Sequence, residues 1–206
     1  MKLPIASDQK GKMFKVSQET AIEDAIIARS DVLGFSGANA IRNFRLANHS
    51  GAVDVVLLPQ DGSTRLALVE AKVSTAEDAG SKVIGQLLMY YAGGLRIGLD
   101  GIELLKQYSR KFQNEAHSIP RKSPQKVLLR VLGKHYPNLD AMELLTKGTP
   151  LAPKEIELFI AINDQPHHTL QPLLQMLREL HDIHIGLVMV RKGMPELLFK
   201  TSDSRL

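Results

Sequence analysis

The sequence predicts an α/β fold, a mixed β-sheet flanked by helices, in a single domain over residues 1–206. Three observations predict it. Segments of helical periodicity alternate with apolar runs of strand length. Two of those runs, at 53–58 and 66–73, are apolar on both faces, as strands covered on both sides of a sheet are. No internal repeat or low-complexity tract points to a solenoid or a disordered chain. The composition, 44% apolar and 23% charged over 206 residues, is that of an ordinary globular domain.

The elements follow in order. After a basic N-terminal tail, SQETAIEDAIIARSDVLG reads as a helix that Ser17 can cap, with Ile22, Ala25, Ile26 and Arg29 at helical spacing. IRNFRLAN is a first strand. GAVDVVLLPQDGSTRLALVEAKV is a hairpin turning at Asp61-Gly62. Thr75 then opens a helix with Asp78 as its capping-box partner. Val83, Leu87 and Tyr90 form the apolar stripe of that helix, and Gly93-Gly94 stops it. Residues 99–150 hold no clear strand and read as a helical insertion, with one helix opening at Ser123-Pro124. IELFIAIN is a strand, TLQPLLQMLRELHD a helix, and IHIGLVMVRKGMPELLFK a strand pair around Lys192-Gly193.

Several function classes are excluded or disfavoured. With no cysteine, disulfide scaffolds, thiol catalysis and Cys-based zinc sites drop out. There is no P-loop, so no nucleotide cofactor is expected. His167-His168 and His181-x-x-His184 are expected to be loop or surface histidines rather than zinc ligands. The start MKLPIASDQKGKMFK lacks the apolar core of a signal peptide. No apolar run approaches the roughly 18 residues that span a bilayer, so a soluble, cytoplasmic protein without a membrane partner is expected. The net charge is +4, and its distribution is uneven. Lys106, Arg110, Lys111, Arg121, Lys122, Lys126, Arg130 and Lys134 face a lone acid, Glu115, so residues 106–134 carry +7 and the rest of the chain −3. That stretch is either a phosphate grip or a solvated helical face.

The informative feature is a set of polar residues inside apolar strands: Asp54 in AVDVVLL, and Glu70 and Lys72 in LALVEAKV. Burying a carboxylate costs several kcal/mol unless it is paired or holds a metal. A three-residue loop at 61–63 would set Gln60 against Thr64 and Asp54 directly against Glu70, with Lys72 on the same face. Two carboxylates that close do not both ionise in a dry site without a cation between them. Oxygen ligands suit magnesium or manganese. A lysine beside the ion can stabilise developing negative charge or orient a water. This is equipment for hydrolysing a phosphodiester.

Asp54, the fifteen residues after it, and Glu70-Ala71-Lys72 resemble the D…(D/E)-x-K motif of the PD-(D/E)XK nuclease superfamily. The helix–hairpin–helix order resembles that superfamily's restriction-endonuclease-like αβββαβ core. Gln86-Leu87-Leu88-Met89-Tyr90 looks like the Q-x-x-x-Y motif of its RecB-like branch, and VEAK…GQLLMYY resembles small endonuclease-like domains of prokaryotes. The resemblance covers residues 18–94, with a weaker fit of the later strands. Val53 stands where the motif has proline.

The resemblance implies a magnesium held by Asp54, Glu70 and the Ala71 carbonyl, with Lys72 at the attacking water and Gln86 reaching the site. It also implies an acid from the first helix. On a helical wheel with Ile22 at zero, Glu19 falls at about 60° and Glu23 at about 100°, both within the apolar arc; Glu19 is slightly preferred and Glu23 stays open, since it could also be a capping-box partner of Thr20. Gln86 has a plain reading as a surface glutamine, and Tyr90 reads as core. The function expected is a metal-dependent endodeoxyribonuclease of DNA repair, restriction or defence. RNA as substrate and a homodimer stay open. The alternative is a catalytically silent module of the same fold that binds nucleic acid or protein.

Overall fold

In the structure, a computed structural model, residues 7–46, 51–76, 79–118 and 141–199 are described, with 7–17, 81, 108, 110–118, 141 and 142 as backbone only. The elements are α1 (Ser7–Ala28), β1 (Asn39–Arg45), β2 (Ala52–Leu58), β3 (Leu66–Val73), α2 (Ser81–Gly94), α3 (Leu99–Ser118), a short helix Ala141–Leu145, β4 (Ile156–Asn163), α4 (Leu170–His181), β5 (Ile185–Arg191) and β6 (Met194–Phe199). The six strands form one mixed sheet in the order β1-β2-β3-β4-β5-β6. β3, β4 and β5 run parallel, and the remaining neighbours pair antiparallel. The expected α/β fold with a helix-flanked mixed sheet is thus the observed one.

Both sheet faces are covered, which is why the inner strands carry apolar residues at consecutive positions. On one face Ile22, Ala25 and Ile26 of α1, with Leu33 and Phe35 after it, pack on Val55, Leu57, Ala67, Val69 and Phe159. On the other, Val83, Leu87 and Tyr90 of α2, Ile102 and Leu105 of α3, and Leu170 and Leu174 of α4 pack on Val56, Leu68, Leu158, Ile160 and Leu187. β3 is paired on both sides and buried at every position.

Three local expectations are corrected. Ser17 is no cap, because α1 runs unbroken from Ser7 through the basic tail. α2 begins at Ser81 with Gly80 before it, six residues beyond Thr75; Ser74 and Thr75 are held instead in the chain leaving β3, where Ser74 N–H donates to Asn163 Oδ1 at 2.8 Å. Asp78 lies outside the described residues. The β2–β3 loop is longer than three residues, because Pro59 has no N–H to extend the ladder and pairing stops at Leu57 and Ala67. Within it Asp61 accepts the Ser63 N–H at 2.9 Å and Gly62 takes φ 81°. The Lys192-Gly193 turn is as expected: both φ are positive and Arg191 pairs Met194, a two-residue hairpin.

The segment 99–150 leaves and rejoins the core at one place. Gly98 bridges Pro150, Leu99 N–H donates to the Thr149 carbonyl, and Leu151 N–H donates to the Ile97 carbonyl. Its first helix is also part of the core, through Ile102 and Leu105. The Ser123-Pro124 helix start lies outside the described residues.

Candidate functional site

The hairpin register places the two strand acids. Val55 pairs Val69, Val56 pairs Leu68 and Leu57 pairs Ala67; one further step sets Asp54 against Glu70. The register is the one a shorter loop would also give, because the extra loop residues are added equally on both sides. Asp54 Oδ2 accepts the Ala71 N–H at 2.8 Å. Lys72 Nζ lies 2.7 Å from Glu70 Oε1. Glu70 is 2% exposed and Lys72 8%, so this is a buried ion pair on the interior strand β3.

The site holds one more carboxyl group than Lys72 can pair, and the surplus appears as a shifted titration. Burial pushes the Asp54 carboxyl up to about 8, aided by the charge of Glu70 and then of Glu23 and opposed by the Ala71 N–H and Lys72. Glu70 Oε2 is buried and makes no hydrogen bond of ordinary geometry among the described residues, although the Tyr90 hydroxyl lies near enough to interact with the Glu70 carboxylate. Tyr90 closes the site on the α2 side. Its hydroxyl donates to the Ala52 carbonyl at 2.9 Å, two residues before Asp54. Burial, then the charges of Glu70 and Asp54, hold this phenol well above its ordinary range. Tyr90 is thus core, as expected, and also a wall of the site. Gln86 is half-buried one turn before it.

From α1 it is Glu23 whose charge reaches Asp54. Glu23 is 5% exposed, and Arg42 of β1 donates to its Oε2 at 2.7 Å while also bonding Asp24. Glu19 is half-buried one turn earlier, about 6 Å along the axis. The wheel that favoured Glu19 carries azimuth and no axial coordinate. Thr20 sits inside a continuous helix, so Glu23 is not the partner of an N-cap there. Arg42 was not foreseen; its only signal was a charge within the first strand.

The residues fit a divalent cation in one respect and fall short in another. Two neighbouring buried carboxyl groups with one lysine between them are what such an ion would satisfy. Among the described residues, though, no group of three or more His, Cys, Asp or Glu side chains is placed to hold a metal ion. A third ligand would have to be the Ala71 carbonyl or a moved Glu23.

Of the basic residues at 106–134, Lys106 is engaged. Its ammonium donates to the Ser63 carbonyl of the hairpin loop and lies 3.7 Å from Glu103, a poor start for a phosphate contact. Arg110 and Lys111 lie on α3, whose backbone alone is described there, and Arg121, Lys122, Lys126, Arg130 and Lys134 lie outside the described residues. No described helix is long and apolar enough to cross a membrane. Comparison with known proteins gives no matching family model, no matching curated protein and no matching solved structure.

Proposed function

We propose that the chain is a magnesium- or manganese-dependent deoxyribonuclease with a PD-(D/E)XK-type site. One observation carries this reading: Asp54, Glu70 and Lys72 meet in a buried hairpin with one more carboxyl group than the lysine can pair. A structural ion pair would need one acid for one base. A bound divalent ion would polarise a phosphodiester oxygen and acidify a water. Asp54 and Glu70, with the Ala71 carbonyl, are the groups that would hold it. Lys72, fixed by Glu70, presents its cation where a water can be oriented and where negative charge develops in the transition state. Tyr90, kept neutral, ties the start of β2 to α2 and shields that charge from solvent.

The second reading is a silent binding module of the same architecture. The observation on its side is that no third side-chain ligand is placed beside the two acids among the described residues. Incubating the full chain with closed circular plasmid, with and without manganese, separates the two. Cleavage that needs metal and disappears in Asp54→Asn supports the nuclease. Plasmid binding without cleavage in any divalent ion supports the module.

A further inference from the structure

Side chains along a strand alternate between sheet faces, and at one place in β1 and β2 they do not. Ala40, Val55 and Leu57 belong to the α1 side of the core, and Ile41, Val56 and Leu58 to the α2 side. By alternation Phe44 should join Ala40, and Val53 should join Val55. Both instead pack on the α2 side. The pairing has not slipped, since Arg42↔Val55 and Phe44↔Val53 keep one register and no residue has been added as in a bulge. The change is a local rotation at the position between them, where Asn43 stands across from Asp54. Asn43 has φ 49°, left-handed backbone inside a strand. Asparagine tolerates that conformation better than most residues, and a β-branched residue tolerates it worst.

The rotation has a consequence for the acid. Unturned, Asp54 would point squarely into the α2-side core with Val56 and Leu58. Turned, it is half-buried at the seam between strands and reaches the Ala71 N–H at 2.8 Å.

We propose that Asn43 is a positioning residue: its left-handed backbone rotates the β1–β2 pair and so aims the Asp54 carboxylate at the Ala71 amide, in line with Glu70. The importance of that aim rests on the nuclease reading; the aim itself does not.

The backbone conformation, not the amide side chain, is the active part. Asn43→Gly, which adopts positive φ freely, should therefore keep the geometry, and Asn43→Val should lose it. The measurements are hydrogen exchange of the Ala71 amide in the metal-free full chain, and manganese binding by calorimetry. Asn43→Gly should stay within about twofold of wild type in both. Asn43→Val should lose about tenfold or more in both, while β4 and β5 amides stay protected. If the valine variant does not fold, Asn43→Ala carries the same test and should fall between glycine and valine. Wild-type protection of Ala71 in the folded alanine or valine variant overturns the proposal. So does a glycine variant that loses as much as valine, since the side chain would then be responsible. A wild type that takes up no manganese overturns the nuclease reading instead, and the Ala71 amide still decides the role of Asn43.

Discussion

Removing Lys72 does two separable things, because it is both the cation of the site and the buried partner of Glu70 at 2.7 Å. Lys72→Met should lower turnover by roughly two orders of magnitude, the scale of one lost electrostatic stabiliser, with DNA affinity within a few-fold of wild type. It should also destabilise the fold by about 3–5 kcal/mol, the cost of leaving a buried charge unpaired. Adding Glu70→Gln should recover much of that stability and none of the activity, which urea denaturation and plasmid cleavage read independently. Asp54 gives a second test at the same scale. Its folded pKa, about 8, lies above the unfolded value near 4. Below both values the group is protonated in either state and costs nothing. Between them the folded chain holds a proton that the unfolded chain has lost, so stability falls as pH rises, by on the order of 1 kcal/mol per unit. Wild type should therefore be less stable at pH 8 than at pH 5, and Asp54→Asn should lack that part of the loss. Magnesium should diminish the loss at pH 8 if the carboxylate is a ligand. A pH profile unchanged by Asp54→Asn would mean the carboxyl is not in the environment described.

At the scale of elements, α1 decides which acid serves the site. Glu23→Gln should weaken manganese binding and cleavage, because its charge is felt at Asp54 and it lies buried on Arg42. Glu19→Gln, one turn further along the helix, should leave both near wild type; the opposite ranking from the two titrations would return the role to Glu19. The sequence could not order these residues, since both fall in the apolar arc and only the packed helix fixes how far along its axis the site lies. The same division holds elsewhere. Strand and helix order was legible, because binary patterning carries it: β2 and β3 read as doubly covered strands and are interior, and Lys192-Gly193 read as a two-residue turn. The meeting of Asp54, Glu70 and Lys72 was legible because polar groups in such strands stand out and a symmetric loop error leaves the register unchanged. Helix starts were not legible, because α1 continues through a tail with no apolar stripe, and because Thr75 offers a cap that tertiary structure declines. Arg42 and Asn43 were missed for a related reason. One acts by a contact across 19 residues and the other by a backbone angle, and neither leaves a periodic trace.

At the scale of the whole molecule, charge is segregated. Residues 106–134 carry +7 and the remainder −3, while the acids of the site lie in the strands. The segment from 99 to 150 leaves and returns through the Gly98–Pro150 bridge. A polyanion approaching acids that repel it needs cations nearby, and on this chain they are concentrated in that segment. Duplex DNA binding should therefore weaken steeply with salt, with a log–log slope of about −0.9 for each phosphate neutralised. Replacing Arg121, Lys122, Lys126 and Arg130 together with glutamine should flatten the slope by up to roughly 3–4 units if all four touch phosphate. The loss should be similar for unrelated sequences, because phosphate contacts carry no sequence information. Lys106→Gln should behave differently. Its ammonium is committed to the Ser63 carbonyl and Glu103, so the slope should stay as in wild type and the change should appear as reduced stability of the hairpin loop. Manganese binding at Asp54 and Glu70 should survive the quadruple substitution, because the two acids lie in β2 and β3, far from those four residues in the sequence. A quadruple variant with the wild-type slope would show that the basic run is a solvated face, and the path of the nucleic acid would then have to cross the molecule elsewhere.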